Sequence, residues 1–332
     1  MSDIQGAVRE RYAAKALQMA ENSSCCDSSC CGDTGCGEGY TAEELASVGV
    51  DPAASLGCGN PTLLAELRPG ERVLDLGSGA GLDVLLSARR VAPGGHAYGV
   101  DMTDEMLAAA RGNQAKAAVT NATFLKGTIE AIPLPDASVD VVISNCVINL
   151  AADKPAVLRE AYRVLGPGGR FAVADMVALA ELPAEVKRSL DQWAGCVAGT
   201  ISVDEYTAAL RDAGFKDVDI EITREVRLDG VDGVIASAYI RARKTGLTGS
   251  LELACSLTDA ELSQRRAEWG GVEGALVERT EREGVVGAVY RASPEVRQRL
   301  ERLVELERQC CAGARWELRE DGDLLRMSIT AT

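Results

Sequence analysis

The sequence predicts an α/β protein: a largely parallel sheet with helices on both faces and an antiparallel edge, followed by a small α+β C-terminal domain. Three observations carry that expectation. From Arg72 onward, near-continuous apolar strands alternate with helical stretches, the pattern of strands buried on both faces. The first strand, "RVLDL", runs directly into a glycine-rich turn, "GSGAGLD". At "TGLTGS" (245–250) the composition shifts: Lys supplies 7 of the 23 basic residues before it, and all 12 after it are Arg. The expected units are an N-terminal helix with a Cys-rich arm over 1–71, an α/β domain over 72–244 and an α+β domain over 251–332.

Each element follows from local pattern. Residues 4–20 read as a helix with Val8, Tyr12 and alanines on one face. The arm "NSSCCDSSCCGDTGCG" (22–37) holds five cysteines and nothing apolar to pack against them. "TAEELASVG" (41–49) reads as a short helix with Thr41 and Glu44 as a capping box. Strand "RVLDLGSG", helix "AGLDVLLSARRVA", strand "HAYGVD" and helix "TDEMLAAARGNQAKAA" follow, with Thr103 as N-cap. Then come strands "ATFLKG" and "VDVVISNCVINL", helix "DKPAVLREAYRVLG" and strand "GGRFAVADMV". "DVDIEITREVRL" and "GVIASAYIRARK" have no long helix between them and read as the antiparallel edge. The tail reads strand (251–257), helix (259–269), strand (285–290), helix (294–311) and a hairpin around "REDGD".

With 332 residues, 46% of them hydrophobic, the chain can bury one sizeable core and a smaller one. A net charge of −15 and 4% aromatic content argue against nucleic acid or an anionic membrane as partner. No apolar run approaches the roughly 18 residues of a membrane span, and the N-terminus lacks the apolar block of a secretory signal. The expected location is cytoplasmic. There, 11 cysteines point to metal binding or chemistry rather than to structural disulfides. The single histidine, His96, removes most His-based metal sites and most Ser-His or Cys-His catalysis. Following "APGG", it reads as a surface turn residue.

The loop "VLDLGSGAGLD" places Gly77, Gly79 and Gly81 between a strand and a helix, where a ligand approaches backbone N–H groups. The next strand ends in Asp101, an acid suited to the two hydroxyls of a ribose. Asp75, just before the first glycine, fits poorly beside a pyrophosphate but well beside an ammonium. S-adenosylmethionine offers that ammonium, a ribose and no phosphate.

Here the chain resembles a known family. "VLDLGSGAGLD", "GVDMTDEML", "GTIEAIPLPDASVDVVISNCVINL" and "EAYRVLGPGGRFAVADM" resemble the Rossmann-like class I S-adenosylmethionine methyltransferases. Residues 12–243, with "SLGCGNP" and "WAGCVAGT", resemble most closely the arsenite methyltransferases. The resemblance implies cofactor-pocket positions at Gly77, Gly79, Asp101, Met102, Ile129, Glu130 and Asn145. Asp75, Ser78 and Thr128 complete the expected cofactor set.

The resemblance also implies a site for As(III), a soft centre that prefers thiolates. Its expected ligands are Cys58, Cys196 and one of Cys25 and Cys26. Cys196, between Gly195 and Val197, also reads as a small buried hydrophobe. Cys25, Cys26, Cys30, Cys31 and Cys36 also allow a zinc site, although adjacent pairs chelate tetrahedrally less well than C-x₂-C. Cys146, inside "VVISNCVINL", reads as core. A thiol that some relatives carry ahead of the last strand is missing from "LDGVDGVIASAYI". The implied substrate is arsenite or methylarsenite, the methyl donor S-adenosyl-L-methionine, and the reductant thioredoxin or glutathione. Two other readings stay open: a thiol protein that sequesters metalloid without turnover, and methyl transfer to another small molecule.

In the C-terminal part, Leu251, Leu253, Cys255 and Leu257 share one strand face, so Cys255 reads as core. Val296, Leu300, Leu303 and Val304 form an apolar helix stripe that Cys310 and Cys311 extend. These two thiols either close the core or form a secondary As(III) site, and the segment resembles small E-R-Q-C-C domains that accompany metal-resistance proteins.

Overall fold

The computed structural model describes residues 3–21, 40–49, 59–182, 197–226, 234–245, 257–282, 285–311 and 313–331. The expected ligands Cys25, Cys26, Cys58 and Cys196 lie outside them, as do Cys30, Cys31, Cys36 and Cys255, the boundary stretch 246–250 and most of the strand expected at 251–257. The chain divides into two compact units. One comprises Met1–Pro133, Val141–Tyr162 and Arg170–Arg243; the other comprises Leu134–Asp140, Arg163–Gly169 and Lys244–Thr332.

The first unit opens with helices α1 (Asp3–Glu21), α2 (Ala42–Val48) and α3 (Pro61–Leu64). Strands and helices then alternate: β1 (Arg72–Leu76), α4 (Leu82–Arg90), β2 (His96–Asp101), α5 (Asp104–Ala117), β3 (Ala122–Lys126), β4 (Val139–Asn145), α6 (Lys154–Val164), β5 (Leu165–Ala178) and α7 (Val203–Asp212). Strands β6 (Lys216–Val226) and β7 (Ile235–Arg243) close the sheet. Its order is β3-β2-β1-β4-β5-β7-β6. β1, β2, β3 and β4 pair in parallel, while β7 runs antiparallel between β5 and β6. β4 is buried at every position except its last, which is why its sequence is apolar without alternation.

Local signals account for the helix starts. Thr41 and Glu44 form the expected capping box on α2, and Ser202 and Glu205 form another on α7. Arg170 grips Glu71 with two hydrogen bonds of 2.6 and 2.7 Å, tying the entrance of β1 to β5. After β1 the chain builds outward through β2 and β3, then returns to place β4 on the other side of β1. That reversal opens a crevice at the carboxyl ends of β1 and β4.

Two readings need adjustment. His96 opens β2, at the strand start where the sequence puts it, but is half-buried rather than a surface turn residue; its Nε2 lies 2.9 Å from Thr123 Oγ1, and partial burial lowers its pKa. The stretch "VDVVISNCVINL" is not strand throughout. β4 stops at Asn145, Cys146 adopts φ +57°, and a 3₁₀ turn spans Ile148–Leu150.

The second unit contains α8 (Asp259–Glu273), β8 (Leu276–Arg282), β9 (Val285–Arg291), α9 (Pro294–Cys310), β10 (Ala314–Asp321) and β11 (Leu324–Ala331). Its sheet is antiparallel, ordered β10-β11-β9-β8. Leu300, Leu303 and Val304 bury the stripe of α9 against Trp269, Tyr290 and Trp316, and the two indoles stack at 6.0 Å. β8 went unforeseen because "LVERTER" is charged; among the described residues it pairs on one side only, as an edge strand. Among the described residues no helix is long and apolar enough to cross a membrane.

One buried acid makes the fold pH-sensitive. Asp175 on β5 accepts hydrogen bonds from Asn149 Nδ2 at 2.8 Å and from the Met176 N–H at 2.9 Å, and Tyr206 Oη donates to it at 3.5 Å. Burial nevertheless pushes its pKa up to about 7. An unfolded aspartate titrates near ~3.9, so the folded state favours the protonated carboxyl. The associated stability is present below about pH 4 and is lost as pH rises through about 7. Asp175→Asn keeps the acceptor and removes the charge. Urea unfolding should show the variant about 1–4 kcal/mol more stable than wild type at pH 8 and nearly matched at pH 4. The same difference at both pH values would contradict this account.

Candidate active site

The glycine loop leaves β1 at Leu76 and turns through Gly77 and Gly79 at φ +68° and +50°. A Cβ on Gly77 would fall 2.5 Å from Val147 Cγ1, so only glycine lets the turn nest against the segment after β4. Asp101, at the end of β2, fixes the loop from the other side. Its Oδ2 accepts from the Gly79 N–H at 2.9 Å and its Oδ1 from the Thr103 N–H at 2.8 Å. Thr103 occupies the N-cap position of α5 without a side-chain cap bond, and its own N–H is taken by Asp101.

The ten residues expected around the cofactor, Asp75, Gly77, Ser78, Gly79, Asp101, Met102, Thr128, Ile129, Glu130 and Asn145, all line one cleft of about 1030 Å³ including its open mouth. Gly79 faces open space: its nearest neighbour to an added Cβ is Met106 Sδ at 4.0 Å. α1 supplies a wall that comes from far away in sequence, with Gln5, Val8 and Tyr12 in the lining. Gln5 Nε2 donates to Glu130 Oε1 at 3.2 Å, and Val8 is buried beside Cys146 and Leu150.

The charge in this cleft is one-sided. Asp75, Asp83, Asp101 and Glu130 line it, and no Lys, Arg or His does among the described residues. Burial raises Asp75 well above the usual carboxylate range, and the charges of Asp83 and Asp101 raise it further. Burial also raises Asp101, against the hydrogen bonds from Thr103 and Gly79. Asp83 is pushed up to about 6 by burial, with Tyr40, Asn145 and Arg90 pulling it back. Tyr40 Oη donates to Asp83 Oδ1 at 2.7 Å, and Asn145 Nδ2 donates to Tyr40 Oη at 3.0 Å and to the Gly59 carbonyl at 2.7 Å. A site built of acids, glycine backbone and no cation suits a positively charged ligand and disfavours phosphate.

Three thiol-bearing segments bear on the same end of β4. Cys146 lines the cleft, is 6% exposed and is disulfide-bonded. Cys58 precedes Gly59, whose carbonyl the Asn145 side chain holds. Cys196 precedes Val197, which packs with Cys146 and Leu150. The core reading of Cys146 accounts for its burial but not for its place on the wall.

Sequence reasoning passed over Asp83, Tyr40 and Gln5, and gave Tyr12 and Cys146 packing roles without placing them at the cleft. Asp83 had a visible signal, an acid in the first turn of the helix that follows the glycine loop. Tyr40 and the α1 residues had none, because only tertiary packing brings them to the cleft.

A methyltransferase domain family matches residues 67–214. The arsenite methyltransferase of Halobacterium salinarum is 47% identical over 224 residues, 64% of this chain and 57% of that protein. That of Mus musculus is 35% identical over 213 residues, 58% of this chain and 55% of that protein. The chain thus spans less than two thirds of the length of these two relatives. A solved arsenic(III) S-adenosylmethionine methyltransferase from Chlamydomonas reinhardtii is 34% identical with a TM-score of 0.54, the match covering 65% of this chain and 78% of that one. Strand order, glycine loop and acidic cleft together define a class I methyltransferase fold and site. The chain belongs to the arsenite methyltransferase family.

The hydroxyl of Tyr40 holds this site together. Tyr40→Phe removes a donor from Asp83 and an acceptor from Asn145, which should cost about 1–3 kcal/mol of unfolding free energy. The loss should be larger at pH 8, where Asp83 is ionised, than at pH 5. Denaturant titration at both pH values checks this; a variant as stable as wild type would show that the network contributes nothing.

Proposed function

We propose that this protein methylates trivalent arsenic bound by its own cysteines, with S-adenosyl-L-methionine as methyl donor. The observation that carries the reading is the cation-free acidic cleft at the switch point of the sheet, with thiol-bearing segments gathered at one end. The donor, when bound, supplies a methyl group activated on a sulfonium. Asp75 accepts its ammonium, directly or through water, and Asp101 its ribose hydroxyls, while the Gly77 to Gly79 turn lets it approach the backbone. Val8, Tyr12 and Met102 cover the cleft and exclude water.

Cys58, Cys196 and one of Cys25 and Cys26 hold arsenite or methylarsenite as thiolates, with the arm of residues 22–37 capturing it. The arsenic lone pair carries no proton, so the reaction needs no general base. That agrees with a lining free of His and Lys among the described residues. Placing the lone pair against the methyl carbon is the protein's main task, and such alignment supplies about 7–11 kcal/mol. Methylation takes arsenic formally from three to five. Two thiolates that join as a disulfide return two electrons and restore the trivalent state. Cys146, already disulfide-bonded on the cleft wall, belongs to that thiol set. A thioredoxin- or glutathione-type dithiol then reduces the protein disulfide.

Cys58→Ser or Cys196→Ser should abolish methylation of arsenite in an assay with labelled donor and thiol, while the donor dissociation constant stays within twofold of wild type. Retained turnover would remove that cysteine from the site. Asp101→Ala should weaken donor binding about 10- to 100-fold by calorimetry, the loss of a charge-assisted pair of hydrogen bonds; an unchanged constant would refute its ribose role. If wild-type protein binds arsenite and donor but releases no methylated arsenic, it sequesters the metalloid rather than transforming it.

A further inference from the structure

The last turn of α9 holds three buried groups that the proposed reaction does not use. Glu307, Cys310 and Cys311 are 6%, 8% and 5% exposed, and each offers a ligand atom within 4.8 Å of the others. Their spacing in sequence, i, i+3 and i+4, places them on one face of the helix. The two sulfurs are 3.5 Å apart, and Glu307 Oε2 lies 3.4 Å from Cys310 Sγ and 3.3 Å from Cys311 Sγ.

We propose that Glu307, Cys310 and Cys311 form a second metalloid site, separate from the catalytic cleft, that binds trivalent arsenic as a three-coordinate centre. The three atoms make a nearly equilateral triangle. A centre bonded at about 2.3 Å to thiolate sulfur cannot sit in a triangle that small and must stand about 1 Å above its plane. The result is a pyramid, the shape of a trivalent pnictogen with a lone pair. A tetrahedral metal would have to draw its fourth ligand from water, since among the described residues no further His, Cys, Asp or Glu joins the group.

The carboxylate is already aimed. Trp269 Nε1 donates to Glu307 Oε1 at 2.8 Å and Arg265 Nη1 to the same oxygen at 3.1 Å, which turns Oε2 toward the sulfurs. Two cysteines that merely closed a core would gain nothing from a buried carboxylate paired with a partly buried guanidinium, since packed apolar side chains serve stability as well or better. Supporting hydrogen bonds that fix a ligand's orientation are a requirement of a binding site.

The chemistry balances without an oxidant. Arsenous acid condenses with the two thiols: two S–H and two As–O bonds break, two As–S bonds form, and two waters leave. Glu307 Oε2 then displaces the third hydroxyl, which leaves as water with one proton from solvent. Arsenic remains trivalent throughout.

The test is arsenite protection of individual thiols in the full-length reduced protein. Arsenite should slow alkylation of Cys310 and Cys311 by iodoacetamide at least tenfold, read by peptide mass spectrometry, and should do so equally in the Cys58→Ser variant. That separates this site from the catalytic one. Cys310→Ser/Cys311→Ser should lower bound arsenic by one equivalent per chain after gel filtration, and Glu307→Gln should weaken that equivalent about tenfold. Alkylation of both thiols unaffected by arsenite overturns the proposal. So does protection by zinc(II) but not by arsenite, which would assign the cluster to a divalent metal. Peptide protection is read on wild-type protein, so the result stands even if the double variant fails to fold.

Discussion

The constraint on which the rest of this structure depends is only partly compensated negative charge beside a glycine turn. Asp75, Asp83 and Asp101 are gathered around one cleft, and each is pushed above its ordinary range, mainly by burial. For Asp83 alone, a pKa near 6 in place of 3.8 means that holding the ionised form at neutral pH costs about 3 kcal/mol. A fold keeps such a cost when a ligand offsets it. A sulfonium with an ammonium does so, whereas a nucleotide phosphate would add to the repulsion. The same constraint explains the local architecture: glycines admit the ligand's close approach, and Asp101 pins the loop it serves.

In the proposed reaction, sulfur chemistry enters at the Asn145–Cys146 end of that cleft. β4 ends at Asn145, with Cys146 next in the chain, and this pair ties together the surrounding segments. Asn145 reaches back to Gly59 and to the Tyr40–Asp83 pair, so a single side chain joins the acidic wall to the segment carrying Cys58. Cys146 and Val197 share a cluster with Val8 of α1. The N-terminal helix is therefore part of the cleft wall. The second unit repeats the theme with different means, two adjacent thiols and a carboxylate held by Arg265 and Trp269.

Much of this was legible before any coordinates. The apolar runs of β1 and β4 and the polar edge strand β6 have different patterns because the first are buried on both faces and the last is not, and pattern alone separates them. Capping residues located α2, although the capping box of α7 went unread. The glycine spacing and Asp101 located the loop because steric demand on φ leaves a mark on sequence. The hidden part arose from long-range packing. Tyr40 meets Asp83 across 43 residues and Gln5 meets Glu130 across 125, and no periodicity encodes either. Cys146 sits in the core its apolar neighbourhood predicts, but that neighbourhood does not reveal that it also lines the cleft. β8 was missed because an edge strand needs few apolar residues.

The most direct measurement is anomalous diffraction at the arsenic edge from crystals of the reduced protein with arsenite and S-adenosylhomocysteine. The account predicts homocysteine sulfur in the cleft between Asp75 and Asp101. It also predicts an arsenic peak at the Asn145–Cys146 end, about 2.3 Å from the sulfurs of Cys58 and Cys196. Arsenic found only on thiols remote from the cleft, or a cleft that leaves the nucleoside unbound, would contradict it.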